Sequence, residues 1–198
     1  MRMQYYIYSL FCFLLPGTVW LICNRRMIAD KAYKVRHIIW IYIYMFYGYL
    51  AMQEAAGIGT IWDLITYGKL DNSINLIPFS SEGAMTYILN IIMFMPLGFL
   101  LPFIWKNFRN AKKVVLMGFL MSLAIEICQL FNLRTTDIDD LMMNTLGALA
   151  GYCCWKVFSL IFRNAGTKCM EIKKSEPVIY MFGGILGLFL LYNWRVFD

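Results

Sequence analysis

Three aspartates stand immediately before a long apolar segment in the second half of the chain. Asp137, Asp139 and Asp140 lie in the stretch RTTDIDD, and the following run 141–162 carries a single charge. The dipole of a helix favours carboxylates at its N-terminus, and oxygen ligands one turn apart can hold a divalent cation. Asp137 and Asp140 are therefore candidate ligands of a divalent cation such as Mg²⁺.

Polar and small residues repeat at helical spacing in two neighbouring apolar runs. The run 114–131 contains Gly118, Ser122, Glu126 and Gln129, and the next run begins with the stripe Asp137, Asp140, Asn144, Gly147 and Gly151. Steps of three and four residues place each set on one helix face. The GxxxG of the second set allows a close helix approach. Asp139 lies off the stripe and is expected to face water or to cap the helix.

Carboxylates and amides inside a membrane are costly, so we expect them to face the interior of a helix bundle or a wet cavity. Glu126 is a candidate general base. Asn90 lies near the outer end of the run 85–105, and Arg134 is the expected counter-ion of Glu126. A purely structural interpretation stays open, in which amides join helices and a carboxylate neutralises Arg134.

The elements that must position these residues are six long apolar runs in a chain of 198 residues that is 61% hydrophobic. They cover 5–23, 38–59, 85–105, 114–131, 141–162 and 177–194. Each is close to the ~20 residues that a membrane-spanning helix needs. The sequence predicts an all-α, polytopic transmembrane bundle of about six spans, forming a single domain over 1–198. A short interfacial helix is expected in the 60–84 connection.

The basic residues predict the orientation of the bundle. Thirteen of the 18 Lys and Arg lie in the connections 24–37, 106–113 and 163–176. Because such residues are retained in the cytoplasm, both termini are expected outside the cell. The net charge of +6 is then a membrane-orientation signal, and no nucleic-acid partner is predicted.

The six cysteines and the single histidine do not indicate a site. No CxxC spacing occurs and five cysteines lie within apolar runs, so neither a disulfide framework nor a zinc centre is expected. His37 has no ligand-like neighbour beside its basic loop, and a histidine-centred triad is not predicted.

The motifs NLIPF, NIIMFMPLGFLLP, SLAIEICQ and RTTDIDDLMMNTLGALAG, in this order, resemble the VanZ family of bacterial membrane proteins. The resemblance covers a core of about 50–160. It implies a place in the bacterial cell membrane and an association with resistance to teicoplanin, with no settled biochemical activity. Pro78 and a set of candidate ligand-binding residues match the family's polar motifs. That set is Asn75, Phe79, Asn90, Glu126, Gln129, Arg134, Asp137, Asp140 and Asn144.

Three functions are compatible with these residues. The first is a non-enzymatic resistance factor with an outward-facing groove, walled by Phe79 and Phe94, that binds a lipid-linked cell-wall precursor or a lipoglycopeptide. The second is a membrane enzyme acting on lipid or cell-wall headgroups, with Glu126 as general base and a cation on Asp137 and Asp140. The third is a small transporter, against which stands the lack of inverted repeats.

Overall fold

The structure, a computed structural model, describes residues 2–24, 31–57, 59–69, 74–79, 83–132, 134–162 and 173–197. Its α-helices are α1 (Arg2–Asn24), α2 (Lys31–Tyr49), α3 (Ile61–Tyr67), α4 (Ala84–Ile104), α5 (Ala111–Gln129), α6 (Ile138–Ile161) and α7 (Glu176–Leu191). A π-helical segment, Leu50–Ala56, continues α2, and short 3-10 turns span Lys106–Phe108, Leu130–Asn132 and Trp194–Phe197. The predicted all-α bundle is confirmed.

The bundle exposes many large apolar side chains and buries several polar ones within a core that is mostly apolar. Three described helical segments are long and apolar enough to cross a membrane, namely Met3–Asn24, Ala84–Ile104 and Ala111–Asn132, and α7 is a shorter apolar helix. Large apolar side chains such as Ile22 and Leu116 are exposed, whereas several carboxylates are buried. Lipid, unlike water, favours this distribution, so the fold is that of a membrane protein. The number of spans stays a prediction.

The helices alternate in direction, so their ends meet in two groups. In one group Tyr8 on α1 donates to the carbonyl oxygen of Leu191 on α7 at 2.6 Å, and Gly59 donates to that of Cys128 on α5 at 3.1 Å. This is the acidic end, defined by Asp63, Asp137, Asp139 and Asp140. The opposite, basic end is defined by Lys106, Arg109, Lys112, Lys113, Lys173 and Lys174. The basic residues in 25–30 and 163–172 lie outside the described residues.

Helices α4 and α6 pack closely because glycines leave room at their contact. A Cβ on Gly98 would collide with the carbonyl oxygen of Ala148, and one on Gly151 would collide with that of Met95. A Cβ on Gly147 would likewise collide with the carbonyl oxygen of Ile91 on α4. The prediction that GxxxG permits close helix approach is confirmed, and α4 is the partner helix.

The helix predicted in the 60–84 connection is α3. Its N-cap is Thr60, whose side chain accepts from the N–H of Asp63, while the Asp63 carboxylate accepts from the N–H of Thr60 at 2.6 Å. The Trp194 indole donates to the other oxygen of Asp63 at 3.0 Å. Asp63 therefore joins α3 to the turn that follows α7.

At the basic end, His37 forms a buried contact that its sequence surroundings did not indicate. Its Nε2 lies 2.9 Å from Oε1 of Glu176. The Trp105 indole donates to Oε2 of the same carboxylate at 3.1 Å, and the Tyr180 hydroxyl donates to Oε1 at 3.0 Å. Glu176 thus joins the start of α7 to α2 and to the residue after α4.

Candidate functional site

A short parallel ladder brings the loop before α4 onto the start of α6. Ile74 pairs with Thr136, and Asn75 pairs with Asp137. We call residues 74–79 the strap. Helical periodicity carries no signal for this pairing, because the paired residues are 62 positions apart and each strand has two residues.

Asp139 holds the far end of the strap. The backbone N–H of Phe79 lies 2.8 and 2.9 Å from its two carboxylate oxygens, and the Tyr87 hydroxyl donates to Oδ2 at 2.8 Å. The side chain is 0% exposed. The expectation that Asp139 faces water or caps α6 is therefore wrong, because donors from the strap and from α4 compensate for its burial. A weak signal for this contact is that Tyr87 and Asn90 lie three residues apart, on one face of α4.

Asp137 is the residue that caps α6. Its Oδ1 accepts the N–H of Asp139 at 2.9 Å, and its Oδ2 accepts the side-chain amide of Asn75 at 2.9 Å. On the next turn, Asp140 accepts a hydrogen bond from the side-chain amide of Asn90 on α4. The structure thus brings together four polar residues that the motifs had selected, and it uses both aspartates to attach the strap and α4 to α6.

These carboxylates do not form a recognisable metal centre. The part of the chain that the structure describes contains no group of three or more His, Cys, Asp or Glu side chains arranged to hold a metal ion. Asp137 and Asp140 accept amide donors from Asn75 and Asn90, which a cation would have to displace. The hypothesis of a divalent cation on this pair gains no support from the described residues.

Glu126 is buried between α5 and the start of α6, with 3% of its surface exposed. Its Oε2 accepts the N–H of Asp137 at 3.1 Å, whereas its Oε1 has no hydrogen-bond partner. The expected pair with Arg134 is not formed, so that prediction is wrong. The turn after α5 carries Arg134 to the surface, where its guanidinium lies against Gly57.

One turn deeper, Asn144 and Ser122 join α6 to α5. The amide of Asn144 donates to the hydroxyl of Ser122 at 2.9 Å, and both side chains are buried. The Asn144 Oδ1 is buried without a hydrogen-bond partner. Gln129, at the end of α5, is also buried. The polar faces predicted for the two helices therefore do point into the bundle.

The apolar part of the site lies on the strap. Phe94 is completely buried in the helical core, so its expected role as a groove wall is wrong. Ile74, Leu76, Ile77 and Phe79 are instead 54–69% exposed. Phe79 also has a positive φ of 61°, a rare conformation for an aromatic residue that its hydrogen bond to Asp139 maintains.

Comparison with known proteins assigns the chain to a family. The model of the VanZ/LLP1 family matches residues 33–160, which include the strap, α4, α5 and nearly all of α6. The chain is 36% identical over 134 residues to Protein VanZ of Enterococcus faecium, covering 67% of this chain and 77% of that protein. No solved structure matches. The protein belongs to the VanZ/LLP1 family.

Proposed function

We propose that the protein acts in the bacterial cell membrane as a resistance factor against lipoglycopeptides of the teicoplanin type, without catalysing a reaction. The polar cluster is formed by Glu126, Asp137, Asp139, Asp140 and Asn144. The strap and this cluster beneath it bind a lipidated drug or a lipid-linked cell-wall precursor, and this binding reduces the access of the drug to its target. The VanZ/LLP1 family membership supports the resistance part of this proposal. The strap supports the binding part.

The observation that carries the proposal is the conformation of the strap. Asp137 and Asp139 are buried, and they hold a segment whose apolar side chains point outward. A positive φ at Phe79 costs of order 1–3 kcal/mol, and such strain is concentrated at ligand clamps and active sites. An exposed apolar row of this kind is suited to a long hydrocarbon chain, such as the acyl tail of a teicoplanin-type drug or the polyprenyl chain of a lipid-linked precursor.

The polar atoms beneath the strap indicate the chemistry of the headgroup. Glu126 Oε1 and Asn144 Oδ1 are buried acceptors that lack a donor. An unsatisfied buried acceptor costs roughly 1–3 kcal/mol, and a ligand that supplies an O–H or N–H recovers that free energy. We expect a hydroxyl-rich or cationic group to reach these atoms when the strap moves aside.

The two ends of the bundle support a proposed orientation. The acidic end holds the strap and the polar cluster, and the basic end holds the exposed lysines of the described connections. Retention of basic residues in the cytoplasm would place the strap at the outer surface, together with both termini. Cell-wall precursors and glycopeptides meet the membrane on that side.

Expression in a susceptible Gram-positive host tests the proposal. The inhibitory concentration of teicoplanin should rise more than that of vancomycin, which has no acyl chain. Phe79→Gly tolerates the positive φ and keeps the N–H that Asp139 binds, but removes the exposed ring. It should abolish most of the difference between the two drugs. Phe162→Gly removes an exposed ring at the basic end and should leave the difference intact.

Equal shifts for the two drugs, or full resistance in Phe79→Gly at equal protein level, would contradict the proposal. A membrane enzyme with Glu126 as general base is a second candidate, because Oε1 of that carboxylate is unpartnered. Resistance that is lost in cells expressing Glu126→Gln, together with ligand turnover by the purified protein, would favour the enzyme. Turnover that needs Mg²⁺ and stops with a chelator would restore the metal hypothesis.

A further inference from the structure

A cavity lies at the acidic end and shares no described lining residue with the strap or the polar cluster. Its volume is about 280 Å³. It is formed by the first turns of α1, the π-helical segment and the residue after α7, and is lined by Tyr5, Tyr6, Ser9, Gln53 and Tyr192. Only Gln53 of these falls within the part of the chain that matches the VanZ/LLP1 family.

The π-helical segment gives the cavity a defined wall. π-Helices are rare, and they occur frequently at functional sites. This one runs for seven residues and ends at Gly57, whose φ of 59° is in the left-handed region that glycine tolerates. Ala51 and Met52, both within this segment, are buried in the core. Gln53 therefore projects from a segment that the core holds in place.

The described side chains that line the cavity are all neutral, and each can both donate and accept hydrogen bonds. Three carry phenolic hydroxyls, Ser9 carries an aliphatic hydroxyl, and Gln53 carries an amide. Ser9, 1% exposed, is already bonded to the Tyr49 hydroxyl at 2.9 Å. Because the described lining residues supply no charge, an ionic group would lose hydration against them without compensation. A ligand with several hydroxyls would match the wall in both donors and acceptors.

The size of the cavity also limits the size of the group that it can bind. Cavities that enclose a whole drug-sized molecule measure roughly 300–1,000 Å³, so this one is suited to a single ring with its substituents. Tyrosine rings offer flat apolar faces beside their hydroxyls, which suits a sugar, whose own ring has C–H and O–H groups. In a bundle that spans the membrane, helix ends such as these are expected at the level of the lipid headgroups.

We propose that this cavity binds a neutral, hydroxyl-rich ring, that is, a glycosyl group, presented by a membrane lipid or free in solution. The full-length protein is purified in an amine-oxide detergent, because a glucoside or maltoside detergent would itself fill the cavity. It is then reconstituted in phosphatidylglycerol nanodiscs. Melting temperature is measured with added monoglucosyl-diacylglycerol, with diacylglycerol, and with free glucose. A ligand that binds only the folded state raises the melting temperature.

Monoglucosyl-diacylglycerol or glucose should raise the melting temperature, and diacylglycerol should not. Comparison of the melting-temperature shift with the glycolipid and with free glucose shows whether the cavity takes the sugar from a membrane lipid or from solution. Tyr192→Phe removes one lining hydroxyl and Gln53→Met removes the amide, and each should reduce the shift by at least half. Tyr67→Phe removes an exposed tyrosine hydroxyl of α3 that does not line the cavity, and should leave the shift unchanged.

Two results would overturn the proposal. One is equal stabilisation by diacylglycerol and by its glucosyl derivative, which would mean that the acyl chains alone are recognised. The other is an undiminished glucosyl shift in both cavity variants, each first confirmed to melt cooperatively. The measurement does not involve an antibiotic, so the glycosyl site and the resistance proposal can fail independently.

Discussion

Asn75 in the strap donates its side-chain amide to the carboxylate of Asp137, the N-cap of α6, at 2.9 Å, although the two residues are 62 positions apart. The same carboxylate also accepts the N–H of Asp139, two residues further along α6. Asp137 therefore both caps α6 and attaches the strap to the start of that helix. This coupling makes the position of the strap depend on the folding of α6.

Asp139→Ala should destabilise the protein more than Asp140→Ala. Asp139 is completely buried and accepts from the backbone of Phe79 and the hydroxyl of Tyr87, whereas Asp140 is only partly buried. Hydrogen bonds to charged groups contribute about 1.5–3 kcal/mol each, and loss of the acceptor leaves two donors unpaired. Thermal unfolding in detergent compares the two variants. Equal losses would mean that Asp139 does not hold the strap.

Glu126→Gln and Arg134→Met should have additive effects on stability. The two side chains are not paired, because Glu126 accepts from the backbone of Asp137 and Arg134 lies at the surface beside Gly57. Sites without a shared contact add to within roughly 0.3–0.5 kcal/mol. A double-mutant cycle measured by chemical or thermal unfolding checks this. Recovery of stability in the double variant would restore the predicted ion pair.

Gly151→Ala should destabilise the α4–α6 contact, because its Cβ would collide with the backbone carbonyl of Met95. Overpacking of this kind costs typically 1–3 kcal/mol. Gly83→Ala is the matched control, since a Cβ there meets nothing within 4 Å. The melting temperature of Gly151→Ala should fall clearly below that of Gly83→Ala. Similar melting temperatures for the two variants would show that the close contact between α4 and α6 does not stabilise the protein.

Trp105→Phe should destabilise the basic end more than Trp155→Phe. Both indoles are buried, but that of Trp105 donates to the carboxylate of Glu176 at 3.1 Å, whereas that of Trp155 stacks against the guanidinium of Arg109. Loss of a bond to a charged group costs about 1.5–3 kcal/mol. Urea or thermal unfolding distinguishes the two. A larger loss in Trp155→Phe would contradict the anchoring role of Glu176.

Thiol labelling in intact cells tests the orientation. In a cysteine-free background, a cysteine at the exposed position Thr135 should react with a membrane-impermeant reagent. A cysteine at the exposed position Lys112, at the basic end, should react only after permeabilisation. The expected difference follows from retention of basic residues in the cytoplasm. The reverse result would place the strap inside the cell and remove the surface-binding proposal.

The sequence by itself determined the elements whose causes are local. Apolar length predicts the long helices, and steps of three and four residues predict which face of α5 carries Glu126 and which face of α6 carries Asn144. GxxxG predicts close packing at Gly147 and Gly151, because small residues on one helix face let any neighbouring helix approach closely there.

Only the tertiary structure decided which distant groups meet. Asp139 and Glu126 are both acidic and both near a helix end, yet one is saturated by donors from the strap and α4, and the other keeps an unpartnered oxygen. That difference depends on loops and on neighbouring helices that no periodicity describes. The same holds for His37, which reaches Glu176 across 139 positions. A buried polar group requires a hydrogen-bond partner, but the packing of the whole bundle determines which group becomes that partner.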